Sequence, residues 1–522
     1  MREVLGAVVA SLIVAGALFS YRVDRMPGDA SELVNRMAAA DATFTFWYHL
    51  GYAWLARLVE FVLAGPFGLT VRGTLELLSA LAAGAAVGLC FVTLRRLDFT
   101  TPIAVFGTAL LATTAGFLNH GTQIEVHTVQ LCTSWLGLCI MARAGRLDLG
   151  RLFLFALLAG LVVSLGHQTG PLLFPGLVLT CIWTANSCTT HAERAKRFGV
   201  AVTAFLITLL ASRWLTSHLS PVENLKELSD FLGATARVTK APTVTFVAVE
   251  LFATLGLLAL AVFWILQTKL TRMPQAWLGL VLVIFPWAFF IGFGERTEGG
   301  YFIGSSMGCV ILACLLMMGL RSQKSGKRTA AIASIALPIG SLVIAGNYVA
   351  ATYADKNERA AARIAAVQEL LPDGGVVFSL QYSEHTLNGQ FDQLREVNIC
   401  GPLHYYMSVD GVVGDADLMV SKQLGELMAA GESVIVDWTW SYRKNNPEPR
   451  WLAVVEVDAD GTAPFSELQV AAPQDAGDPL NLGEFWQPYI ERIRSGLDRD
   501  WQVTEHTGPW SRFLRIEPRK QP

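Results

Sequence analysis

Five polar stretches interrupt a mostly apolar chain of 522 residues, and they hold the side chains able to do chemistry. Pro27-Gly28-Asp29-Ala30-Ser31-Glu32 offers two carboxylates three residues apart. Asn119-His120-Gly121-Thr122-Gln123-Ile124-Glu125-Val126-His127 sets one carboxylate among imidazoles, and Gly166-His167-Gln168-Thr169-Gly170-Pro171 adds another imidazole. Glu250 lies within an apolar run, while Gly294-Glu295-Arg296-Thr297-Glu298-Gly299-Gly300-Tyr301 combines carboxylates, a guanidinium and a phenol. His49, in Tyr48-His49-Leu50-Gly51-Tyr52, is a further candidate. Such groups suit proton removal from a hydroxyl by a positioned carboxylate. They also suit the holding of an anion, since a guanidinium matches phosphate oxygens with two parallel hydrogen bonds.

Each stretch also has a purely structural reading. Asp29 followed by Glu32 fits a helix N-terminal cap. Glu125 and His127 could favour the start of a helix, His167 could pair with a buried carbonyl, and 295–298 could be a solvated loop. Glu250 resists such a reading, because an ionisable group at membrane depth is costly and faces a polar cavity as a rule. What favours function is that all five stretches fall on one side of the chain's topology, outlining an aqueous cavity.

That topology follows from composition. The chain is 52% hydrophobic and only 16% charged, with a mean hydropathy of +0.42, far from an ordinary soluble enzyme. The same figures exclude disorder, and a net charge of −3 gives no sign of a nucleic-acid partner. The eight cysteines form no disulfide scaffold or zinc spacing, and Cys400 is alone in the polar tail. A membrane span needs about 20 apolar residues, or about 17 with polar flanks. Eleven segments qualify, near 4–21, 77–94, 102–118, 126–142, 152–167, 171–186, 198–214, 243–266, 275–293, 302–320 and 329–350. The first reads as a retained anchor, since no convincing cleavage site follows it.

With the N-terminus in the cytoplasm, the inner connections carry fifteen Lys and Arg against nine on the longer outer ones. An odd number of spans then places the tail in the periplasm. Inserting the apolar stretch 44–64 would invert every later loop, so it is expected to lie on the outer membrane surface, with Trp47, Tyr48, Tyr52 and Trp54 at headgroup depth. The expected organisation is a transmembrane domain, 1–354, with a long structured first outer loop, 22–76, and a periplasmic soluble α/β domain, 355–522. In that tail the pattern predicts helices at 357–371 and 418–430, and strands at 376–380, 396–399, 433–438, 451–457, 467–471 and 512–516. Trp438 and Trp440, with Tyr442 nearby, read more readily as packing than as sugar-stacking surfaces.

These stretches, in this order, resemble the GT-C-type membrane glycosyltransferases, within them the bacterial branch akin to protein O-mannosyl-transferases. Gly28-Asp29-x-x-Glu32 is similar to the family's acidic motif in its first outer loop. Tyr48-His49-Leu50-Gly51-Tyr52 falls where relatives carry His-Pro-Pro-Gly-Tyr, and Glu125-Val126-His127 where Glu-Val-Tyr is usual. Gly166-His167 to Pro175, Glu295 to Phe302, and Asn347-Tyr348 to Leu371-Pro372 also resemble it. The fold implied is mainly α, about 11 transmembrane helices in a GT-C-like bundle followed by the soluble α/β domain.

The activity implied is inverting transfer of a sugar, mannose-like in the branch resembled, from a polyprenyl-phosphate donor to an acceptor outside the cytoplasm: a protein Ser/Thr hydroxyl, a glycan or a lipid. By that resemblance Asp29 is the base; Glu32 is a second-choice base or an orienter of the acceptor, and Arg296 is the natural phosphate clamp because of its guanidinium geometry. His49, His120, Glu125, His127, His167, Glu250, Glu295 and Tyr301 line the substrate site. A divalent metal, Mg or Mn, bridging Asp29 and a second carboxylate stays open. No P-loop or dinucleotide fingerprint stands out, as expected where the donor is a lipid. A transporter of lipid-linked sugars would carry midplane polar groups and internal repeats, neither of which is seen. A non-catalytic envelope-assembly protein is the third alternative.

Overall fold

The computed structural model describes residues 2–22, 30, 33, 34, 37, 50–144, 146–167, 169–184, 190–219, 274–293, 304–322, 326–379, 393–398, 416–438, 493–508 and 512–519. Two compact units are distinguished. One comprises 1–23, 42–225 and 236–353; the other comprises 24–41, 226–235 and 354–522.

The first unit is helical. Its elements are α1 (Arg2–Ser20), α2 (Leu50–Val59), α3 (Val71–Arg96), α4 (Thr101–Ala112), α5 (Ala115–Gly121), α6 (Val126–Ala144), α7 (Leu149–Gly166), α8 (Phe174–Thr184), α9 (His191–Leu219), α10 (Pro274–Phe293), α11 (Ser305–Ser322) and the start of α12 (Gly326–Leu370). A π turn, Glu60–Ala64, prolongs α2, and a 3-10 turn, Gly170–Leu173, precedes α8. Among the described residues, α1, α3, α7, α9, α11 and α12 each contain a stretch long and apolar enough to cross a membrane, which makes six; counting α4 and α5 as one span bent by 60° makes seven. The expected span at 126–142 falls on α6, whose apolarity His127, Thr128, Gln130, Thr133 and Ser134 dilute. The apolar helical stretches 170–182 and 274–286 are shorter, and 243–266 lies outside the described residues.

Helices in lipid gain no hydrophobic drive from meeting each other, so close backbone approach through small residues matters. α1 and α3 meet in this way at Gly84 and Gly88, one turn apart: a β-carbon on Gly84 would lie 2.3 Å from the Ser11 carbonyl oxygen, and one on Gly88 2.3 Å from Ser11 Oγ. The opposite side of α1 leaves Leu5, Leu12 and Ile13 exposed, as a lipid-facing surface requires.

The two ends of the bundle differ. At one end Arg22 and Arg72 both contact Glu76, at 3.0 and 2.8 Å. At the other, Arg95 reaches Glu3 and the Phe99 carbonyl, Arg96 the Cys139 carbonyl, Arg146 reaches Asp98, and Arg197 the Leu147 carbonyl. α2 with its π turn is amphipathic, with Trp54, Leu58, Phe61 and Val62 exposed and Ala53 and Ala56 buried. Tyr52, expected at headgroup depth, is instead fully buried, because it falls on the Ala53/Ala56 side of the helix.

In the second unit a five-stranded sheet runs β2-β1-β3-β5-β4, formed by β1 (Gly375–Ser379), β2 (Leu394–Asn398), β3 (Val434–Asp437), β4 (Trp501–Thr507) and β5 (Arg512–Pro518). β1 pairs in parallel with β2 and β3; β5 is antiparallel to β3 and to β4. Alternation sends Val376, Phe378, Val434 and Val436 to the face covered by α13 (Ala416–Ala429) and by α14 (493–500), through Val420, Leu424, Ile493 and Leu497. Val377, Ile435 and Phe513 face the end of α12, through Val367 and Leu371.

Three buried charges share that face. Arg363 contacts Asp437 Oδ2 at 3.0 Å and Glu396 Oε1 at 3.2 Å, and Ser379 donates to Glu396 at 2.6 Å. Burial alone would lower the Arg363 pKa; the two carboxylates outweigh it and raise the value. The stretches 329–350 and 357–371, read separately from sequence, are parts of one 45-residue helix. β4 was not anticipated: it is an edge strand with the polar sequence Trp-Gln-Val-Thr-Glu-His-Thr. Trp438 is buried in the sheet core, whereas Trp440, Tyr442 and the expected strands 451–457 and 467–471 lie outside the described residues.

Candidate functional site

Four of the sequence-selected residues meet in the first unit. His120 is near the end of α5, Glu125 precedes α6, His127 is in its first turn, and His167 caps the C-terminus of α7. Glu125 is anchored by its backbone: its N–H donates to Ser79 Oγ of α3 at 3.1 Å, and its carboxylate accepts the Val126 N–H at 3.0 Å. The carboxylate therefore caps α6, where the positive end of the helix dipole favours it.

Two imidazoles flank that carboxylate. His120 Nδ1 stands 4.0 Å from Oε1 and His127 Nε2 3.8 Å from Oε2. Both separations exceed a direct hydrogen bond, and both fit a small polar group bridging the pair at about 2.8 Å from each. The rings of His120 and His127 lie 5.2 Å apart, and those of His127 and His167 5.1 Å apart. His120 is buried, and neither of its ring nitrogens has a hydrogen-bond partner. Gln123 Oε1 is buried in the same condition, and the buried Tyr52 hydroxyl lies by Ser79 and Glu125. A buried polar group left unpaired costs about 1–3 kcal/mol. A site that gathers several of them is built for a polar guest.

Glycine lets the elements close around this centre. A β-carbon on Gly166 would overlap Thr133 of α6, at 2.0 Å from its Oγ1, and one on Gly51 would stand 2.5 Å from the Leu165 carbonyl oxygen. α7 and α2 are thus drawn in beside His167. A further contact comes from the residue that follows the 294–301 stretch closely in sequence: a β-carbon on Gly304 would lie 4.0 Å from Gln130 Nε2.

Gln130 and Thr169 are functional candidates that sequence reading passed over. His127 Nδ1 lies 3.1 Å from Gln130 Oε1; Gln130 Nε2 donates to Thr169 Oγ1 at 2.7 Å; Thr169 Oγ1 lies 2.8 Å from His167 Nδ1. The only signal available was the His127-x-x-Gln130 spacing, which puts both on one helix face. Thr169 is 39 residues from Gln130, beyond any local pattern.

Asp29, Glu32, His49, Glu250, Glu295, Arg296 and Tyr301 lie outside the described residues. Ala30, Leu33, Val34 and Met37, which surround the acidic pair in sequence, are helical and buried at the spacing of one helix face. Among the described residues no group of three His, Cys, Asp or Glu side chains is arranged to hold a metal ion.

No protein-family profile matches the chain, and no curated protein does. Solved structures do match. The fold resembles that of ArnT. ArnT from Cupriavidus metallidurans, bound to undecaprenyl phosphate, aligns with TM-score 0.52 and 12% identity over 98% of this chain and 97% of its own. The apo form of the same ArnT gives TM-score 0.52 and 14% identity, over 98% of each chain. The likeness to ArnT spans both units, and at such low identity it rests on the course of the chain rather than on shared side chains.

Proposed function

We propose that this protein is a membrane glycosyltransferase of the GT-C type, moving a sugar from a polyprenyl-phosphate donor to a hydroxyl outside the cytoplasm. The observation that carries the reading is the buried cluster of His120, Glu125, His127 and His167 at one end of an apolar helical bundle. The likeness to ArnT, which has been captured with undecaprenyl phosphate, supports a lipid-phosphate donor. It does not distinguish an O-mannosyl branch from others, so the acceptor is stated as a protein Ser/Thr hydroxyl, a glycan or a lipid.

The physical logic is positional. A polyprenyl donor keeps its chain in the bilayer and its phosphate at the headgroup level, so the reacting groups belong at helix ends. The acceptor oxygen attacks the anomeric carbon from the face opposite the phosphate, and the carbon–oxygen bond to phosphate breaks with inversion. Asp29 takes the hydroxyl proton as that bond forms, with Glu32 as alternative base or orienter. Arg296 balances charge on the departing phosphate. Glu125 and its imidazoles hold sugar hydroxyls, with His49, Glu250, Glu295 and Tyr301 completing the lining.

In this reading the bundle crosses the membrane eleven times, the Arg-rich end with Arg95, Arg96 and Arg146 is cytoplasmic, and residues 355–522 form a periplasmic domain. A periplasm-dependent reporter is expected to be active when fused after Pro522 and silent near Lys324; the reverse pattern would invert the orientation. The activity is tested by incubating the purified protein with radiolabelled polyprenyl-phosphate sugar and candidate acceptors. Label is expected to leave the lipid for the acceptor. Label that stays on the lipid while crossing the bilayer would instead establish a flippase.

A further inference from the structure

The hydrogen bonds joining His127 to His167 have a direction that can be worked out from one fixed point. The Thr169 backbone N–H can only donate, and it meets His167 Nδ1 at 3.2 Å. That nitrogen therefore carries a lone pair, and a neutral His167 bears its proton on Nε2. The Thr169 hydroxyl, 2.8 Å from the same lone pair, must donate to it as well. Its oxygen is then the acceptor for Gln130, so the amide presents nitrogen to Thr169, at 2.7 Å, and oxygen to His127. An amide oxygen cannot donate. His127 Nδ1, 3.1 Å from it, must bear hydrogen. In neutral His127 the remaining nitrogen, Nε2, then carries a lone pair, 3.8 Å from Glu125 Oε2.

We propose that Gln130 is a positioning residue that holds His127 and His167 in opposite tautomers, making one an acceptor at Nε2 and the other a donor at Nε2. Two rings 5.1 Å apart are thereby chemically unlike. His127 Nε2 and the Glu125 carboxylate make a seat with acceptors on both sides, which selects a guest bringing two hydrogens, such as a neighbouring pair of sugar hydroxyls that each donate to one acceptor. His167 presents its hydrogen at Nε2, which suits an oxygen carrying negative charge. Among the described residues the titratable groups beside His127 include Glu125, His120 and His167. Resting on the proposed function, this assigns neighbouring sugar hydroxyls to the His127–Glu125 side and a phosphate oxygen to the His167 side.

The tautomers can be read without donor or acceptor, so failure here is separate from failure of the transfer assay. The full-length protein, labelled with 15N in its histidine rings and held in nanodiscs at pH 9, gives ring-nitrogen spectra assigned with His127→Asn and His167→Asn. His127 is expected to show Nδ1–H and His167 to show Nε2–H. Gln130→Met, similar in volume but unable to accept, is expected to let His127 populate both tautomers while His167 stays Nε2–H. Gln130→Glu, whose carboxylate accepts from His127 Nδ1–H, is expected to restore the Nδ1–H form. Matching tautomers in the wild type, a doubly protonated His127 at that pH, or a His127 signal unmoved by Gln130→Met would each overturn the proposal.

Discussion

A β-carbon placed on Gly51 would stand 2.5 Å from the carbonyl oxygen of Leu165, two residues before His167. The obstruction is backbone, not the far end of a flexible side chain, so it cannot step aside. Gly51→Ala should push α2 off the end of α7 and lower stability by about 1–3 kcal/mol, the usual cost of overpacking. A fluorescence-detected melt of the purified protein reads this directly. An unchanged melt would mean that the two elements are not in this contact.

His120 separates structural from functional roles. Its buried ring has no hydrogen-bond partner on either nitrogen, so replacing it with an apolar residue removes an unpaired group. His120→Leu is expected to keep or raise stability, by about 1 kcal/mol, while weakening sugar transfer. Lower stability together with full transfer activity would make His120 a packing residue.

Much of the bundle could be read in the sequence because an apolar run of sufficient length has few other uses. The grouping of Glu125, His127 and His167 was legible for a similar reason: each falls at a helix end on the same side of the alternating spans. What joins them was not. Gln130 resembles any polar residue one turn into a helix, and Thr169 any loop threonine; their partnership is tertiary. The unbroken course of α12 was hidden by Asp355-Lys356-Asn357-Glu358, charges that end an apolar pattern without ending a helix, since Lys and Glu are good helix formers. β4 was missed because an edge strand with an exposed polar face lacks the buried alternation that marks a strand.

The C-terminal sheet depends on a balanced buried charge. Arg363 lies against both Glu396 and Asp437, all three buried. Arg363→Met strands two carboxylates in the core and is expected to cost about 3–5 kcal/mol. Limited proteolysis would show cleavage within 355–522 at denaturant concentrations the wild type withstands. Equal resistance would contradict the network's role.

Acid sensitivity has a traceable source at the sheet edge. The hydrogen bond from Arg512, with further attraction from Arg494, holds the Glu505 pKa below its ordinary 4.5. A carboxylate depressed in the folded state stabilises the fold above its unfolded pKa, and that stabilisation is lost as pH falls through the folded value. Glu505→Gln should therefore cost below about 1 kcal/mol at neutral pH, since the pair is mostly solvated. It should also flatten the fall in stability below pH 4.5. Melting curves across the acid range check both, and a parallel fall in wild type and variant would remove Glu505 from the account.

The most direct measurement follows free polyprenyl phosphate released from a polyprenyl-phosphate sugar by purified wild type and by Asp29→Asn, both shown to be folded. Release is expected from the wild type in the presence of acceptor, with a loss of about 100-fold or more in the variant, the scale of a missing general base. A folded wild type that leaves the donor intact with every acceptor class would contradict the glycosyltransferase reading. Equal release by Asp29→Asn would leave the reaction but take the base role from Asp29.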